Sequence, residues 1–181
     1  MGPITYSLCH KDVIGLAMWI TGFCAFAPLI PATEVSLRDP GLILSREFHA
    51  PVDTSYLLNL RFVFPSTESR IKDRLVGDGR TGDYCDSDIQ YDAIPEHERP
   101  GLGLPIPFRV VVRSEPEGAS VVERTFHSLC HAAHARNDKH RTIGRLDLNR
   151  GSYRIEVTNL QPQLAFGDIK TEISLVSGDA N

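Results

Sequence analysis

The densest set of side chains able to do chemistry is the run His127-Ser-Leu-Cys-His-Ala-Ala-His134, with His140 a little further on. Imidazole nitrogens are good zinc and copper ligands, and on a helix His127, His131 and His134 would share a face. The spacing matches no standard zinc motif, the residues up to His127 read as strand, and Cys130 has a competing use. These histidines are therefore weak metal candidates, and no cofactor is expected. A second cluster, Gly82-Asp-Tyr-Cys-Asp-Ser-Asp-Ile-Gln-Tyr-Asp92, offers the carboxylates of Asp83, Asp86, Asp88 and Asp92. Calcium takes such oxygens, but the loop pattern D-x-[DN]-x-[DN]-G that would arrange them is absent. With Tyr84 and Tyr91 as amphipathic anchors, these acids suit a basic cleft on a partner protein instead.

Other chemistries find less support. The glycines of Gly77-Asp-Gly-Arg-Thr-Gly82 lack the Lys-Ser/Thr pair of a phosphate-cradling loop and carry an acid that would repel phosphate. No Gly-x-Ser-x-Gly elbow occurs, and Cys130 beside His131 is weakened as a nucleophile if it is bridged. A net charge of -4 leaves no electrostatic footprint for nucleic acid. The reading is of a protein that is not an enzyme and does not bind DNA or RNA.

The compartment follows from the amino terminus. Between Asp12 and Glu34 no side chain is charged, and the run from Val13 to Pro31 is apolar almost throughout. Preceded by Lys11 and followed by small residues and prolines, residues 1–32 read as a secretory signal peptide cut before Thr33. A run of about 20 apolar residues also spans a bilayer, so an uncleaved anchor is the alternative, and the membrane is touched only through this segment. Of the four cysteines, Cys9 and Cys24 lie in the leader and Cys85 and Cys130 beyond it. In an oxidising periplasm the remaining pair reads as a disulfide, worth typically ~2–4 kcal/mol.

The elements that must position these residues are strands. From Thr33 onward apolar residues recur with period 2, in Glu34–Arg38, Leu42–Ala50, Thr54–Phe64, Ile106–Ser114, Ala119–His127, Arg141–Leu148, Ser152–Thr158 and Asp168–Val176. Tyr56, Leu58, Leu60 and Phe62 share one face of the strongest strand, and Tyr153, Ile155 and Val157 one face of another. Pro65-Ser66-Thr67 caps a helix of two to three turns, with Gly77 suited to its C-terminal left-handed position. Asp78 to Gly103 is a long polar connection, and His131–Arg136 forms a helical turn or a loop. With no βαβ rhythm, the fold is a single all-β domain over 33–181, an antiparallel β-sandwich of seven or eight strands with a short helix in a long crossover.

The segments Pro40–Phe48, Tyr56–Phe62 and Gly151–Leu160 carry a resemblance to a family of small exported proteobacterial β-sandwich proteins of unknown function. It covers about Thr33 to Val176 and implies no catalytic residues. In size, leader and fold the chain is also similar to periplasmic immunity proteins that neutralise toxins. The function expected is a periplasmic protein-binding module, an immunity or inhibitor protein that blocks a secreted toxin through Asp83, Tyr84, Asp86, Asp88, Tyr91 and Asp92. The alternatives are an envelope accessory or glycan-binding sandwich and, third, a metal-dependent enzyme using the histidine cluster.

Overall fold

A computed structural model describes residues 27–78 and 91–177. Two antiparallel sheets enclose one core, as the period-2 patterning requires. The described strands are β1 (Ile30–Val35), β2 (Gly41–Ala50), β3 (Thr54–Val63), β4 (Ile106–Ser114), β5 (Ser120–Ser128), β6 (His131–His134), β7 (Asp138–Leu148), β8 (Gly151–Asn159) and β9 (Lys170–Ser177). Five form a sheet in the order β1-β9-β3-β7-β6, and four a second sheet in the order β2-β8-β4-β5. The chain passes between sheets at β1 to β2 along one side and at β5 to β6 along the other, so both sides of the sandwich are crossed by chain.

The inward faces are those read from the sequence. Tyr56, Leu58, Leu60 and Phe62 of β3 are buried, facing Phe108, Val110 and Val112 of β4 and Tyr153, Ile155 and Val157 of β8 in one cluster. Fully burying an aliphatic or aromatic side chain is worth roughly 1.5–3 kcal/mol, so these alternating rows are the main source of cohesion. Gly144 of β7 lies under the ring of Phe126, where a Cβ would come within 2.4 Å of a ring carbon. The outward faces are closed by ion pairs: Arg113 with Glu156, Arg109 with Glu123 and Arg154 with Glu47 and Glu115 on one sheet, and Arg61 with Asp138 and Glu172 on the other.

Three local features depart from the sequence reading. The described strands number nine because His131–His134, expected as a helical turn or loop, pairs with β7 as an edge strand. The helix, α1 (Thr67–Lys72), is shorter than two to three turns. Ser66 caps it through a reciprocal bond with Ser69, but Asp73 leaves helical geometry to accept from the amides of Leu75 and Val76. Gly77, with φ +83°, then sits in a bridge to Leu102 rather than at the helix end. Finally, β1 begins at Ile30, which is 2% exposed and pairs with Leu175, so the sandwich takes in Ile30–Ala32 ahead of the expected cut before Thr33.

Register fixes what lies at each end. Ile30 pairs near Leu175, Thr54 with Leu148, and Ala50 with Gly151, which sets both ends of the described chain beside the short turns 51–53, 115–119 and 149–150. The opposite end carries 36–40, residues 64–78 and 91–105, the turn 135–137 and the segment 160–169. Among the described residues no helix is long and apolar enough to cross a membrane.

Candidate functional site

The end carrying the long connection is organised by two cations that β7 turns inward. Arg141 is 0% exposed and Lys139 2%. Removing such charges from water is costly unless their donors are paired; here Arg141 is paired with main-chain carbonyls, and Lys139 with main-chain carbonyls and the carboxylates of Asp73 and Asp78. Arg141 donates through Nε to the Val76 carbonyl (2.9 Å), through Nη1 to those of Leu104 (2.7 Å) and Ser128 (3.0 Å), and through Nη2 to that of Leu75 (2.6 Å). Its guanidinium also lies 5.3 Å from the ring centroid of Phe62 and 5.9 Å from that of Phe166, close enough for cation–π attraction. Burial pushes its pKa down to about 9, against the pull of the nearby Asp73 charge, and it remains a cation at neutral pH.

Lys139 Nζ donates to the carbonyl (3.1 Å) and Oδ2 (3.0 Å) of Asp73, the Gly77 carbonyl (3.1 Å) and Oδ1 of Asp78 (2.7 Å). The hydrogen bond from Lys139 holds the Asp78 carboxyl below its ordinary value, with Arg74 adding to the effect and partial burial opposing it. Segment 75–78 is in turn laced to 101–104: Asp78 N–H bonds the Gly101 carbonyl, Leu104 N–H that of Leu75, and Gly103 N–H that of Leu129. No side chain fits at Gly103, where a Cβ would stand 1.7 Å from Arg141 Nη2 and 2.4 Å from the Val76 carbonyl oxygen. The two limbs of the connection are therefore stapled to β7 and to each other.

Beneath the second limb is a small separate core of Ile94, Leu129 and Cys130, with Tyr91 and Leu102 packed against it. Arg99 folds over Tyr91 at 5.0 Å and donates to the carbonyls of Ile94 (2.8 Å) and Asp92 (3.1 Å). Tyr91 is thus half-buried in a structural contact, while the side chain of Asp92 is exposed. Asp83, Tyr84, Cys85, Asp86 and Asp88 lie outside the described residues, between the stapled Asp78 and Tyr91. Cys130 is buried and disulfide-bonded, and no disulfide lies wholly within the described residues.

The histidines do not form the helical face imagined for them. His127 stands on β5 opposite Pro107, whereas His131 and His134 belong to β6 in the other sheet. The rings of His131 and His134 stack at 5.3 Å, His131 buried and His134 exposed, and His140 accompanies Asp138 on β7. Among the described residues no three His, Cys, Asp or Glu side chains are grouped to hold a metal.

Lys139 and Arg141, the residues that build this end, were not singled out in the sequence. A second feature missed there is a cleft of about 750 Å³ between residues 34–38 and 163–171. Val35, Leu37 and Phe166 supply its buried apolar part, Arg38 and Asp168 its charged rim, and Leu164 an exposed edge.

A crystal structure of a protein from Sulfurospirillum deleyianum superposes with a TM-score of 0.62, covering 84% of this chain and 99% of that one at 16% identity. At that identity the likeness extends to the fold alone. No curated protein matches the chain. Residues 32–177, which run from within β1 to the last residue of β9, match the family described as Domain of unknown function (DUF5625), and the chain belongs to that family.

Proposed function

We propose that this protein is a non-enzymatic, exported binding module, an immunity or inhibitor protein that uses the connection from Asp78 to Glu98 to occlude the active site of a secreted bacterial toxin. The observation that carries this reading is the staple: two buried cations hold the chain on both sides of residues 79–90, through the carbonyls of Asp73, Leu75, Val76 and Gly77 and the Asp78 carboxylate on one side and the Leu104 carbonyl on the other. A binding loop whose roots are fixed before encounter loses less conformational freedom on association, which favours affinity without any added contact. The sequence between those roots supplies Asp83, Tyr84, Asp86 and Asp88, three carboxylates and an aromatic anchor, the chemistry that suits a basic cleft. Two buried cations at one end of a sandwich are also a costly arrangement if they serve cohesion alone, since well-packed apolar residues often do as well there.

The test is capture from the producer's own envelope and culture fluid, followed by assay of any captured enzyme. Recovery of a secreted enzyme that loses activity on binding, with capture abolished by Asp86→Lys and Asp88→Lys together, supports the reading. Capture unaffected by the charge reversal removes the connection from it, and a captured enzyme that stays fully active removes the inhibitor role.

A further inference from the structure

Packing sets where the sandwich begins, and that boundary bears on where the chain is cut on export. Ile30 is 2% exposed and belongs to the main core. Leu29 packs against that core and donates its N–H to the Leu175 carbonyl at 2.8 Å, while Ala27 and Pro28 are exposed. The fold therefore holds the chain from Leu29 onward. A cut before Thr33 would remove Leu29, Ile30, the bond to Leu175 and the first half of β1.

A peptidase of the export route reads small side chains at the third and first positions before the bond it hydrolyses, after an apolar stretch of about 7–15 residues. From Met18 to Ile30 two pairs meet that rule, Gly22 with Cys24 and Ala25 with Ala27. The bond after Ala27 is followed by Pro28, whose ring fixes φ and removes the N–H, a poor residue just past a scissile bond. The bond after Ala32 has the large Ile30 at the first of the two positions, and Ile30 is committed to the core. That leaves the bond between Cys24 and Ala25. Ahead of it the apolar stretch Val13–Ile20 follows Lys11 and has a leader's length, and Ala25–Leu29 separate it from Ile30.

We propose that the exported protein is cut between Cys24 and Ala25. Water adds across that peptide bond, leaving a carboxylate on Cys24 and an ammonium on Ala25, and the sandwich keeps Leu29 and Ile30. Cys9 and Cys24 depart with the leader, so Cys85 is the cysteine remaining in the sequence to bond Cys130, which is disulfide-bonded. The cut rests on export, as the proposed function does, and not on the identity of the partner.

The experiment is intact-mass measurement and amino-terminal sequencing of the full chain, made in its own cells and purified through a tag at the carboxyl end. The first residue is expected to be Ala25, and non-reducing peptide mapping is expected to join Cys130 to Cys85. Two variants separate the candidate bonds. Cys24→Leu puts a large side chain just before the cut and is expected to abolish processing. Ala32→Leu, at an exposed position of β1, is expected to be processed as wild type. A first residue of Thr33 or Pro28, Cys130 bonded to Cys9 or Cys24, or processing kept in Cys24→Leu and lost in Ala32→Leu would each overturn the site while leaving export standing. A wild-type chain that retains its leader overturns the site as well: found in the envelope it leaves export standing, and found in the cytosol it removes the export reading too.

Discussion

The two ends of this sandwich solve the same problem in opposite ways. At the end of short turns, each critical corner is held by a tyrosine reaching four residues back: Tyr56 donates to the Val52 carbonyl and Tyr153 to that of Asn149, both at 2.8 Å. Neutral hydroxyls suffice because the turns are two to five residues long and little main chain needs satisfying. At the other end residues 64–78 and 91–105 lie outside the sheets between β3 and β4, and the carbonyls of Asp73, Leu75, Val76, Gly77 and Leu104 are gathered by Arg141 and Lys139. A guanidinium with five donors can collect four separate carbonyls, which no hydroxyl can do. The lesson is that irregular chain can be as firmly rooted as a tight turn when a buried cation replaces the missing ladder, and that it then depends on one residue.

That dependence gives the largest expected effect. Arg141→Met removes the common donor for Leu75, Val76, Leu104 and Ser128 and leaves their carbonyls buried, for a loss of about 3–5 kcal/mol. Urea unfolding measures the loss, and limited proteolysis should place the first cuts between 73 and 104. A variant that unfolds like wild type, or is cut first at the short-turn end, would erase the contrast between the ends.

Next in size is the short-turn end at its chain terminus. A protein beginning at Thr33 lacks Ile30 and the Leu29 N–H bond to the Leu175 carbonyl. It should be less stable than one beginning at Pro28 by about 1.5–3 kcal/mol, the worth of one buried aliphatic side chain. Equal denaturation midpoints would show that Ile30 is dispensable to the core.

Smaller again are Tyr56→Phe and Tyr153→Phe, each removing one hydrogen bond for ~0.5–1.5 kcal/mol. Their proteolytic pattern should leave 73–104 as resistant as in wild type, in contrast to Arg141→Met. Opening of that connection by either tyrosine variant would mean that the two ends are coupled.

The smallest effect is acid sensitivity at the long-connection end. Burial pushes the Asp138 carboxyl up, but the hydrogen bond and charge of Arg61, with His140 and the Ala135 N–H, outweigh it and hold the pKa below its ordinary value. A carboxylate depressed in the native state stabilises fully above its unfolded pKa, about 3.9, and loses that contribution as pH falls through the native value. The stability gap between wild type and Asp138→Asn should therefore be present at pH 7 and shrink below about pH 4, as urea midpoints would show. A gap that grows in acid would reverse the sign.

Where alternation ran unbroken, the sequence was a sufficient guide. β3 and β8 bury the residues read as inward, because one buried face and one wet face leave no other register. The cations of β7 were illegible for a specific reason. Leu148, Leu146 and Gly144 alternate inward, but the register slips between Leu58 and Asn59, which pair with Gly144 and Thr142. Past that bulge the parity changes, so Arg141 and Lys139 face inward where unbroken alternation would have turned them to solvent. The histidine cluster was misread through its element: spacing suited to a helix face means little once β5 ends at Ser128 and β6 begins at His131 in the other sheet. α1 was anticipated through its Ser66 cap, but not its early end, where Asp73 turns out of the helix to accept from the amides of Leu75 and Val76 and from Lys139, a tertiary partner 66 residues away. The cleft had no linear signature, since it joins residues 34–38 to 163–171.

The central claim is that the stapled end is the one that meets a partner. The direct measurement is side-by-side capture with three baits: wild type, Asp83→Asn/Asp86→Asn/Asp88→Asn in the sequence between the stapled roots, and Glu117→Lys in the short turn 115–119 at the other end. The wild-type and Glu117→Lys baits should retain the same protein, and the triple variant should release it. Retention by the triple variant with loss by Glu117→Lys would place the partner at the opposite end and contradict the claim.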